Sequence, residues 1–359
     1  MYKREQKNAA NAPGPGGMKI KPKYVLIALS LALVLAVALL YLRGNGQGND
    51  LTSFNYFAMD TLVEMRFVSV DNAGDEEIID SVIAEIERLE ALLSRSETDS
   101  DVVAINRAAG QQAVAVSPET LALIEEALYF AEISGGAFDP TIAPLTDAWG
   151  FWDQAHRLPA DEELARALEL VDYSMVELDP EKKTVYLPLE EMALELGGIA
   201  KGYIVDRALE LLSSKGVTSA FVNAGGDIGL IGLRPDGEPW KIGVGHPREE
   251  GAVIVVIPLS GGAVVTSGDY RRFFEEDGVI YHHIIDPATG YPAGDLISVT
   301  ITAPTVMEAD ALSTAVFVLG PEAGMSLVES LPHIEGILIG PGLEIYLSSG
   351  LEGLAELRQ

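Results

Sequence analysis

The sequence contains no cysteine and only five histidines among its 359 residues. The absence of cysteine excludes disulfides, thiolate nucleophiles, a lipoprotein anchor, and zinc or iron–sulfur sites built on sulfur. A metal in this protein must therefore be held by oxygen atoms or by the few histidines. Hydrophobic residues make up 48% of the chain, which excludes a disordered polypeptide and is typical of a folded protein with a large core.

Basic residues are scarce after residue 43. Seven of the 24 lysines and arginines, but only one of the 54 acidic residues, lie in the first 43 positions, so the rest of the chain carries a net charge near −36. Such a body does not attract nucleic acid or anionic lipid through general electrostatics. An anionic ligand would need local cations or a metal, and we expect no nucleic-acid partner.

One uncharged run, YVLIALSLALVLAVALLYL, occupies residues 24–42 and follows a basic segment over residues 1–23. Its length suffices to cross a hydrocarbon core of about 30 Å. We therefore expect a membrane anchor at 24–42, a linker at 43–50, and a body over 51–359 on the extracytoplasmic side. The small residues at 36–38 leave a cleaved signal peptide as the alternative.

The hydrophobic pattern of the body predicts an α+β architecture. Apolar periodicity predicts helices over residues 75–93, 118–134, 161–170, 200–214, 307–320 and 321–331. Alternation predicts a hairpin within 175–187, two short strands after residue 331, and strands over 61–68, 219–223, 240–244, 252–258, 263–265, 279–285 and 296–302. Strands outnumber helices and do not alternate strictly with them, which disfavours a doubly wound sheet. We expect one compact domain.

Four loops carry more glycine and polar residues than a plain connection needs. They span residues 134–152, 195–212, 221–232 and 266–292. Paired glycines before a helix leave free N–H groups and let a ligand approach the backbone. Each loop also has a simpler interpretation as an ordinary turn, with Lys201 solvated in the second loop and Asp227 structural in the third.

The fourth loop holds the densest polar cluster. Only one of its adjacent histidines can point to a given face of a strand. The histidine pair lacks the helical spacing of HExxH, and the chain has neither GxxxxGK[ST] nor GxGxxG, so zinc, P-loop and Rossmann sites are disfavoured. The turn at 286–290 is itself an ordinary turn signal, so part of the cluster can be structural. The cluster comprises Asp269, Arg271, Arg272, His282, His283 and Asp286.

Asp310 and Thr314 stand four residues apart in the predicted helix over 307–320. This spacing places a carboxylate and a hydroxyl on one helical face. A hard cation such as Mg²⁺ takes oxygen ligands, and a backbone carbonyl of the glycine turn before residue 200 could supply a third. The alternative is that Asp310 caps or enters a first helical turn and Thr314 bonds back to the preceding carbonyl.

Eight segments occur here in the order in which they occur in the ApbE family, and the chain resembles that family over residues 50–340. The segments are AMDT (58–61), LSRSETDSDVVAIN (93–106), GAFDPTIAPLTDAWGF (136–151), LGGIAKGYIVDR (196–207), NAGGDI (223–228), TSGDYRRFF (266–274), HIIDPATGYP (283–292) and ADALSTAVFVLG (309–320). The resemblance implies an ApbE-like, T-fold-related domain and the activity of an FAD:protein FMN transferase.

The resemblance also implies particular ligand contacts. It implies Mg²⁺, or Mn²⁺ in its place, bound by Asp310, Thr314 and the carbonyl of Gly198. The implied contacts of the substrate FAD are Met59, Ser96, Ala137, Phe138, Asp139, Glu195, Lys201 and Ile284. This chain departs from the usual family pattern at two of them. Ser96 stands where the family often has tyrosine, and Glu195 replaces the usual aspartate.

The implied reaction is a phosphoryl transfer in which an acceptor hydroxyl attacks the FMN-side phosphorus of FAD and AMP leaves. Lys201 would offset the charge of the phosphates. His283 is the predicted proton acceptor, since its ordinary pKa of about 6.5 suits proton transfer near neutrality. Asp269 and Asp286 are the alternatives for this role.

The partner implied by the resemblance is an acceptor protein bearing a motif of the type (Asp/Ser)-Gly-Ala-(Thr/Ser), which this chain lacks. With an anchored body outside the cytoplasm, we expect a membrane or extracellular electron-transfer subunit as the acceptor. Two other hypotheses stay open at this point. Water as the nucleophile would make the protein an FAD pyrophosphatase, and absence of turnover would make it a surface flavin-binding protein.

Overall fold

The computed structural model describes residues 51–70 and 74–358, so the predicted segments at 1–23, 24–42 and 43–50 lie outside the described residues. The described residues form one compact unit. The strands of the described part are Leu51–Ala58 (β1), Thr61–Val68 (β2), Val114–Ala115 (β3), Glu177–Asp179 (β4), Thr184–Tyr186 (β5), Ala220–Ala224 (β6), Asp227–Ile231 (β7), Trp240–Gly245 (β8), Val253–Leu259 (β9), Gly262–Gly268 (β10), Phe273–Glu276 (β11), Val279–His282 (β12), Ser298–Ala303 (β13), Glu335–Ile339 (β14), Ile345–Leu347 (β15) and Glu356–Leu357 (β16).

The helices of the described part follow the predicted periodicity closely. Those over 75–93 and 200–214 have the predicted bounds, because each combines a strong apolar stripe with clear ends. The helices are Asp75–Leu93 (α1), Asp101–Arg107 (α2), Pro118–Ile133 (α3), Ala143–Ala148 (α4), Asp161–Leu168 (α5), Ala200–Ser214 (α6) and Val306–Ser330 (α7).

The main sheet has eight strands in the order β1-β2-β6-β7-β10-β13-β14-β15, and every neighbouring pair is antiparallel. Helices α1, α6 and α7 pack against this sheet or against one another, and the largest cluster of buried apolar residues lies among them. A second cluster joins the smaller sheet β16-β9-β8 to β14. The α+β class predicted from the sequence is confirmed.

Helix α7 begins at a side-chain cap, Thr305. The Thr305 hydroxyl accepts a hydrogen bond from the Glu308 N–H at 3.2 Å and donates to the Glu308 carboxylate at 3.0 Å. Asp206 on α6 accepts from the N–H groups of Val306 and Met307 at 2.8 and 2.9 Å, so α6 fixes the first turn of α7. The cap is therefore Thr305, and the alternative that Asp310 caps the helix is wrong.

The two helices approach closely where α7 starts. A Cβ added to Gly202 of α6 would lie 2.5 Å from the Val306 carbonyl oxygen and 2.7 Å from the Cα of Met307. Only glycine permits this approach, because the obstructing atoms are backbone and cannot rotate away. The Gly202 N–H also donates to Asp310 Oδ2 at 3.0 Å, which ties the helix pair to a candidate site residue.

We expect Gly202→Ala to lower the free energy of unfolding by about 3 kcal/mol, because the methyl group forces α6 and α7 apart in a packed core. Thermal and urea unfolding measure this loss. Gly294→Ala is the matched control, since a Cβ at Gly294 meets no atom within 4 Å. Equal stability of the two variants would contradict the close approach.

Some predicted elements differ from the structure. Strand β1 was not predicted, because its polar residues alternate with only four large apolar or aromatic ones. The strand predicted over 279–285 ends at His282, since the chain then turns back to pair Ile285 with Pro292. Helix α7 is one element broken at Gly320, whose φ of 76° is not helical, just before Pro321.

Helix α7 is the one helix among the described residues long and apolar enough to cross a membrane. Half of its most apolar stretch is buried in this fold, and it packs on β10 and β13. Its apolar character is accounted for by this packing. The helix carries Asp310 and Thr314 to the end of the sheet where the candidate site lies.

Candidate active site

Two hairpin turns meet at one end of the main sheet. Met59 and Asp60 form the turn between β1 and β2 with φ values of 52° and 57°, and the Met59 N–H donates to Glu90 Oε1 at 2.8 Å. The turn between β6 and β7 contains Gly225, and a Cβ added there would lie 2.5 Å from Thr61 Oγ1. The two turns are therefore in contact, and the predicted FAD contact Met59 lies beside the NAGG turn.

An ion pair lies directly beside these turns. Lys201, in the first turn of α6, pairs through Nζ with Asp227 Oδ2 at the start of β7. The Asp227 side chain is 4% exposed and the Lys201 side chain 31% exposed, so Lys201 is paired with a buried carboxylate, and Asp227 contacts a residue outside its own turn. The buried carboxylate of Asp310 is close enough to interact electrostatically with both residues.

Burial and charge shift the pKa values of Asp310 and Lys201. Burial raises the pKa of the Asp310 carboxyl to about 7, although Lys201 acts in the opposite direction. Burial alone would lower the pKa of Lys201, but attraction to Asp227 and Asp310 outweighs it and raises the pKa. Lys201 is therefore a permanent cation in an otherwise acidic body.

Three oxygen groups that could hold a cation come together around Gly198. The Gly202 N–H, which in a regular helix would bond to the Gly198 carbonyl, donates to Asp310 instead, so that carbonyl has no backbone partner among the described residues. A Cβ added to Gly198 would lie 3.5 Å from Thr314 Oγ1 and 3.1 Å from the Phe138 ring. No group of three or more histidine or acidic side chains within 51–70 and 74–358 could hold a metal. The mixed set of carboxylate, hydroxyl and carbonyl oxygens fits Mg²⁺.

The loop before α4 supplies the wall beside this oxygen set. Phe138 is buried, and its N–H donates to Ser134 Oγ at 3.1 Å. Asp139 accepts hydrogen bonds from the Thr141 N–H and hydroxyl at 2.8 and 2.6 Å and from the Tyr173 N–H at 3.0 Å. The Asp139 carboxylate therefore holds the loop in shape, and burial raises its pKa. A contact with FAD at this position would come from the backbone.

Arg95 joins three of the predicted site segments. Its guanidinium, with a side chain only 9% exposed, binds Asp147 at 2.8 Å and Glu195 at 2.8 Å, and lies 4.5 Å from the centre of the Trp152 ring. The second oxygen of Glu195 accepts from the Gly197 N–H at 3.1 Å, next to the Gly198 carbonyl. The longer carboxylate of Glu195 thus reaches a partner, and that partner is Arg95.

We expect Arg95→Ala to lower the free energy of unfolding by about 2 kcal/mol, less than for a fully buried pair because both carboxylates are partly exposed. The transfer activity that the ApbE resemblance implies should fall further than stability alone explains, since the Gly197–Gly198 turn loses its anchor. Arg95→Lys should not restore transfer, because an ammonium cannot fork between two carboxylates.

A matched control for Arg95 is Arg88→Ala. Arg88 also bridges two carboxylates, Glu85 and Glu119, but its side chain is 46% exposed and lies outside the site. Its removal should cost about 0–1 kcal/mol and leave transfer unchanged. Equal loss of transfer in the Arg88 and Arg95 variants at a temperature where both are folded would contradict a positioning role for Arg95.

The two adjacent histidines point to different surroundings, as predicted. His282 is buried, donates from Nε2 to the Ala293 carbonyl at 2.7 Å and accepts at Nδ1 from the Ile284 N–H at 3.3 Å. Both of its nitrogens are occupied, and burial lowers its pKa. His283 Nδ1 lies 3.2 Å from the Arg272 carbonyl, which can only accept, so Nδ1 carries the proton. The Nε2 lone pair of His283 is left as the basic position.

The two acidic alternatives to His283 are engaged elsewhere. Asp269 forms a two-fold hydrogen-bonded pair with Arg248 at 2.8 and 2.7 Å. Asp286 accepts from the Ala288 N–H at 2.9 Å and the Thr289 hydroxyl at 3.0 Å within its own turn. If either carboxylate accepted the proton of the acceptor hydroxyl, these contacts would be disrupted. The geometry therefore favours His283 over Asp269, the second predicted catalytic residue, and over Asp286.

The remaining predicted contacts are distributed around the same end of the sheet. Ser96 is exposed in the loop after α1 and lies 2.8 Å from the Ser94 hydroxyl. Ala137 is half-buried beside Phe138, and Ile284 is buried, with its carbonyl accepting from the Ala293 N–H at 3.0 Å. Position 96 carries serine instead of the tyrosine that the family often has, so no large side chain stands there.

Sequence reasoning did not single out several residues that build the site. Their partners lie far away in the chain, so no local pattern marks them. Arg95 lies 100 positions from Glu195, and Asp206 lies 100 positions from Val306. Basic residues are scarce after residue 43, and a buried arginine needs acidic partners. The few arginines of the body could therefore have been considered as candidates for ion pairs in the site. The residues not singled out are Arg95, Asp147, Trp152, Asp206 and Arg248.

The described residues form an α+β domain in which the Lys201–Asp227 pair and the Asp310 carboxylate lie together at one end of the main sheet. The model of the ApbE family matches residues 59–338. The chain belongs to the ApbE family. The family assignment made from the eight ordered segments is thereby confirmed.

Relatives with known names or structures are similar over most of their length. An FAD:protein FMN transferase of Treponema pallidum is 37% identical over 81% of this chain and 85% of its own length. One of Vibrio cholerae is 33% identical over 82% of this chain and 90% of its own length. The crystal structure of the ApbE protein of Thermotoga maritima superposes with a TM-score of 0.80 at 38% identity, covering 86% of this chain and all of that one. The flavin transferase ApbE of Vibrio cholerae gives a TM-score of 0.77 at 30% identity, covering 85% of this chain and 99% of that one.

Proposed function

We propose that this protein is an FAD:protein FMN transferase. The observation that carries the proposal is the convergence of the Lys201–Asp227 pair, the Asp310 carboxylate and the Gly198 carbonyl in a chain of the ApbE family. Relatives that match four fifths of this chain carry that activity in their names. The site combines a fixed cation with a hard-cation oxygen set, as phosphoryl transfer requires.

In the reaction, a threonine or serine hydroxyl oxygen of the acceptor forms a bond to the FMN-side phosphorus of FAD. The bond from that phosphorus to the bridging oxygen breaks, and AMP leaves with the bridging oxygen. His283 Nε2 takes the hydroxyl proton, and Lys201 balances charge on the phosphates. The FAD would contact Met59, the 137–139 loop and Ile284.

The divalent cation would be held by Asp310, Thr314 and the Gly198 carbonyl, and when bound it would neutralise charge on the phosphoryl oxygens. The residues of this chain prepare that arrangement. Gly202 holds Asp310 through its N–H, and Arg95 fixes the glycine turn through Glu195. Mg²⁺ is the favoured ion because every candidate ligand atom is oxygen.

We further propose that the domain works on the extracytoplasmic side of a membrane, held by residues 24–42, with a membrane or extracellular electron-transfer subunit as acceptor. The uncharged run and the lysines before it support this proposal. Accessibility of residue 359 and of the 24–42 flanks to a membrane-impermeant label in intact cells tests the orientation. Labelling of the C-terminal end from the cytoplasmic side alone would contradict it.

The transfer reaction is tested by following AMP release from FAD with and without an acceptor. A carrier protein with a Ser-Gly-Ala-Thr segment is the probe, and Mg²⁺ or EDTA is added. We expect AMP to appear only when carrier and Mg²⁺ are both present. AMP formed at the same rate without the carrier would identify an FAD pyrophosphatase instead.

A further inference from the structure

A cavity of about 560 Å³ lies beside the candidate active site. Its walls come from the loop over residues 245–252 between β8 and β9, from Asp269 to Arg271 after β10, and from the hairpin β11–β12. The volume lies within the range of about 300–1,000 Å³ that is typical of ligand pockets. None of the residues Lys201, Asp310, Gly198 and Thr314 lines it.

The hairpin β11–β12 forms a two-stranded sheet of its own, and its two faces are different. Phe274 and Tyr281 lie opposite each other and pack on the buried Trp149, with ring centres 6.4 and 5.3 Å from it. Phe273 and Ile280 point to the other face, towards the cavity, and are 45% and 50% exposed. The fold therefore presents two large apolar side chains to solvent at the cavity rim.

The segment after β10 lies between the cavity and the site. Arg271 lines the cavity, and its Nη2 lies 2.8 Å from the position that a Cβ on Gly226 would take in the NAGG turn. The next residue, Arg272, accepts hydrogen bonds at its carbonyl from the His283 N–H at 3.0 Å and from His283 Nδ1 at 3.2 Å. His283 does not itself line the cavity, so a polypeptide seated there would have to extend past Arg272 to reach it.

The charged residues lining the cavity are two arginines and three acidic residues, so its net charge is near −1 and a neutral segment meets little repulsion there; they are Arg248, Arg271, Glu249, Glu250 and Asp269. Arg248 on the 245–252 loop is neutralised by Asp269 through two hydrogen bonds. Arg271 forms no ion pair with a carboxylate among the described residues, but its guanidinium lies 5.7 Å from the centre of the Tyr270 ring. The cavity thus offers apolar contact at the rim and donors to peptide carbonyls inside.

We propose that this cavity receives the segment of the acceptor protein that carries the reacting hydroxyl. The inference rests on the proposed function, because a transfer between two substrates needs a second entrance to the phosphorus. The occupant is a short extended stretch of the acceptor, with an apolar side chain packed on Phe273 and Ile280.

The test is Ile280→Ser in the full-length protein purified in detergent, with the Ser-Gly-Ala-Thr carrier as acceptor. Loss of an apolar contact of this size should raise the KM for the carrier about fivefold, and Phe273→Ser combined with it should raise KM further. The Kd for FAD and the melting temperature should stay at their wild-type values. The control is Val279→Ser, which is equally exposed at 50% but lies on the opposite face of the same hairpin.

Each outcome separates this inference from the function on which it rests. A higher carrier KM in Ile280→Ser alone supports the cavity as the acceptor entrance. Unchanged KM in both variants, or a weakened Kd for FAD that matches the change in KM, would overturn it while leaving the transferase proposal intact. A wild-type protein that transfers no FMN to the carrier would overturn both.

Discussion

Replacing Asp310 with asparagine is expected to slow FMN transfer by at least about a hundredfold, because the candidate cation site loses its only carboxylate. Asparagine retains an oxygen that can accept from the Gly202 N–H, so α6 and α7 should keep their contact. The substitution also removes a buried carboxyl group, the pKa of which is raised to about 7 by its burial. The melting temperature should therefore not fall. Initial rates of carrier labelling at several Mg²⁺ concentrations measure the effect.

The matched control is Asp75→Asn. Asp75 is also a buried carboxylate, with Oδ2 accepting from the Thr52 hydroxyl at 2.6 Å, but it lies at the far end of β1 from the Met59 turn. Its substitution should leave the transfer rate unchanged. Wild-type rates in Asp310→Asn at limiting Mg²⁺ would rule out Asp310 as a ligand of the cation.

The second large effect is expected for His283→Gln. Loss of the Nε2 base should reduce the transfer rate by about 10²–10⁴-fold, while the Kd for FAD changes little. His282→Gln is the contrasting variant, since both nitrogens of His282 serve the fold and its loss should lower stability. Transfer by His283→Gln at the wild-type rate would contradict the assignment of the base.

The pH dependence of stability gives an independent check on His283. Burial, reinforced by Arg272 and His282, lowers the pKa of His283 to about 3. Between about 6.5 and 3 the unfolded chain therefore binds a proton that the folded protein does not, so stability falls as the pH decreases through this range. His283→Gln lacks this contribution, and its melting temperature should decline less between about pH 6.5 and 4. Identical pH profiles would show that His283 is not held neutral by the fold.

Binding of FAD should reverse part of that shift. Phosphate charges placed near Lys201 and Arg272 would offset two of the cations that lower the pKa of His283. A pKa closer to neutrality makes Nε2 a better proton acceptor when the substrate is present. The imidazole resonances of His283, followed by NMR with and without FAD, report this change directly.

The sequence predicted the elements whose pattern is local. Helices α1 and α6 appeared with their observed bounds because apolar spacing and end signals lie within each segment. The break of α7 at Gly320–Pro321 was also visible as two adjoining helices. Strand β1 and the short helices α2 and α4 were missed, since each carries too few periodic residues to stand out.

The site was predictable where residues four apart or adjacent carry the chemistry, and less so where distant segments meet. Asp310 and Thr314 were visible from helical spacing, and the division of roles between His282 and His283 from strand alternation. The role of Asp227 in the site could not be predicted from the sequence, because it depends on a contact with Lys201, which lies 26 positions away. The same holds for Arg95, whose two carboxylate partners come from other loops.

The most direct test of the central claim is the intact mass of the Ser-Gly-Ala-Thr carrier after incubation with the full-length protein, FAD and Mg²⁺. The account predicts a mass gain of one FMN on the carrier, absent when EDTA is added and absent when the hydroxyl residues of the segment are replaced by alanine. A carrier of unchanged mass, together with FAD converted to FMN and AMP, would contradict it.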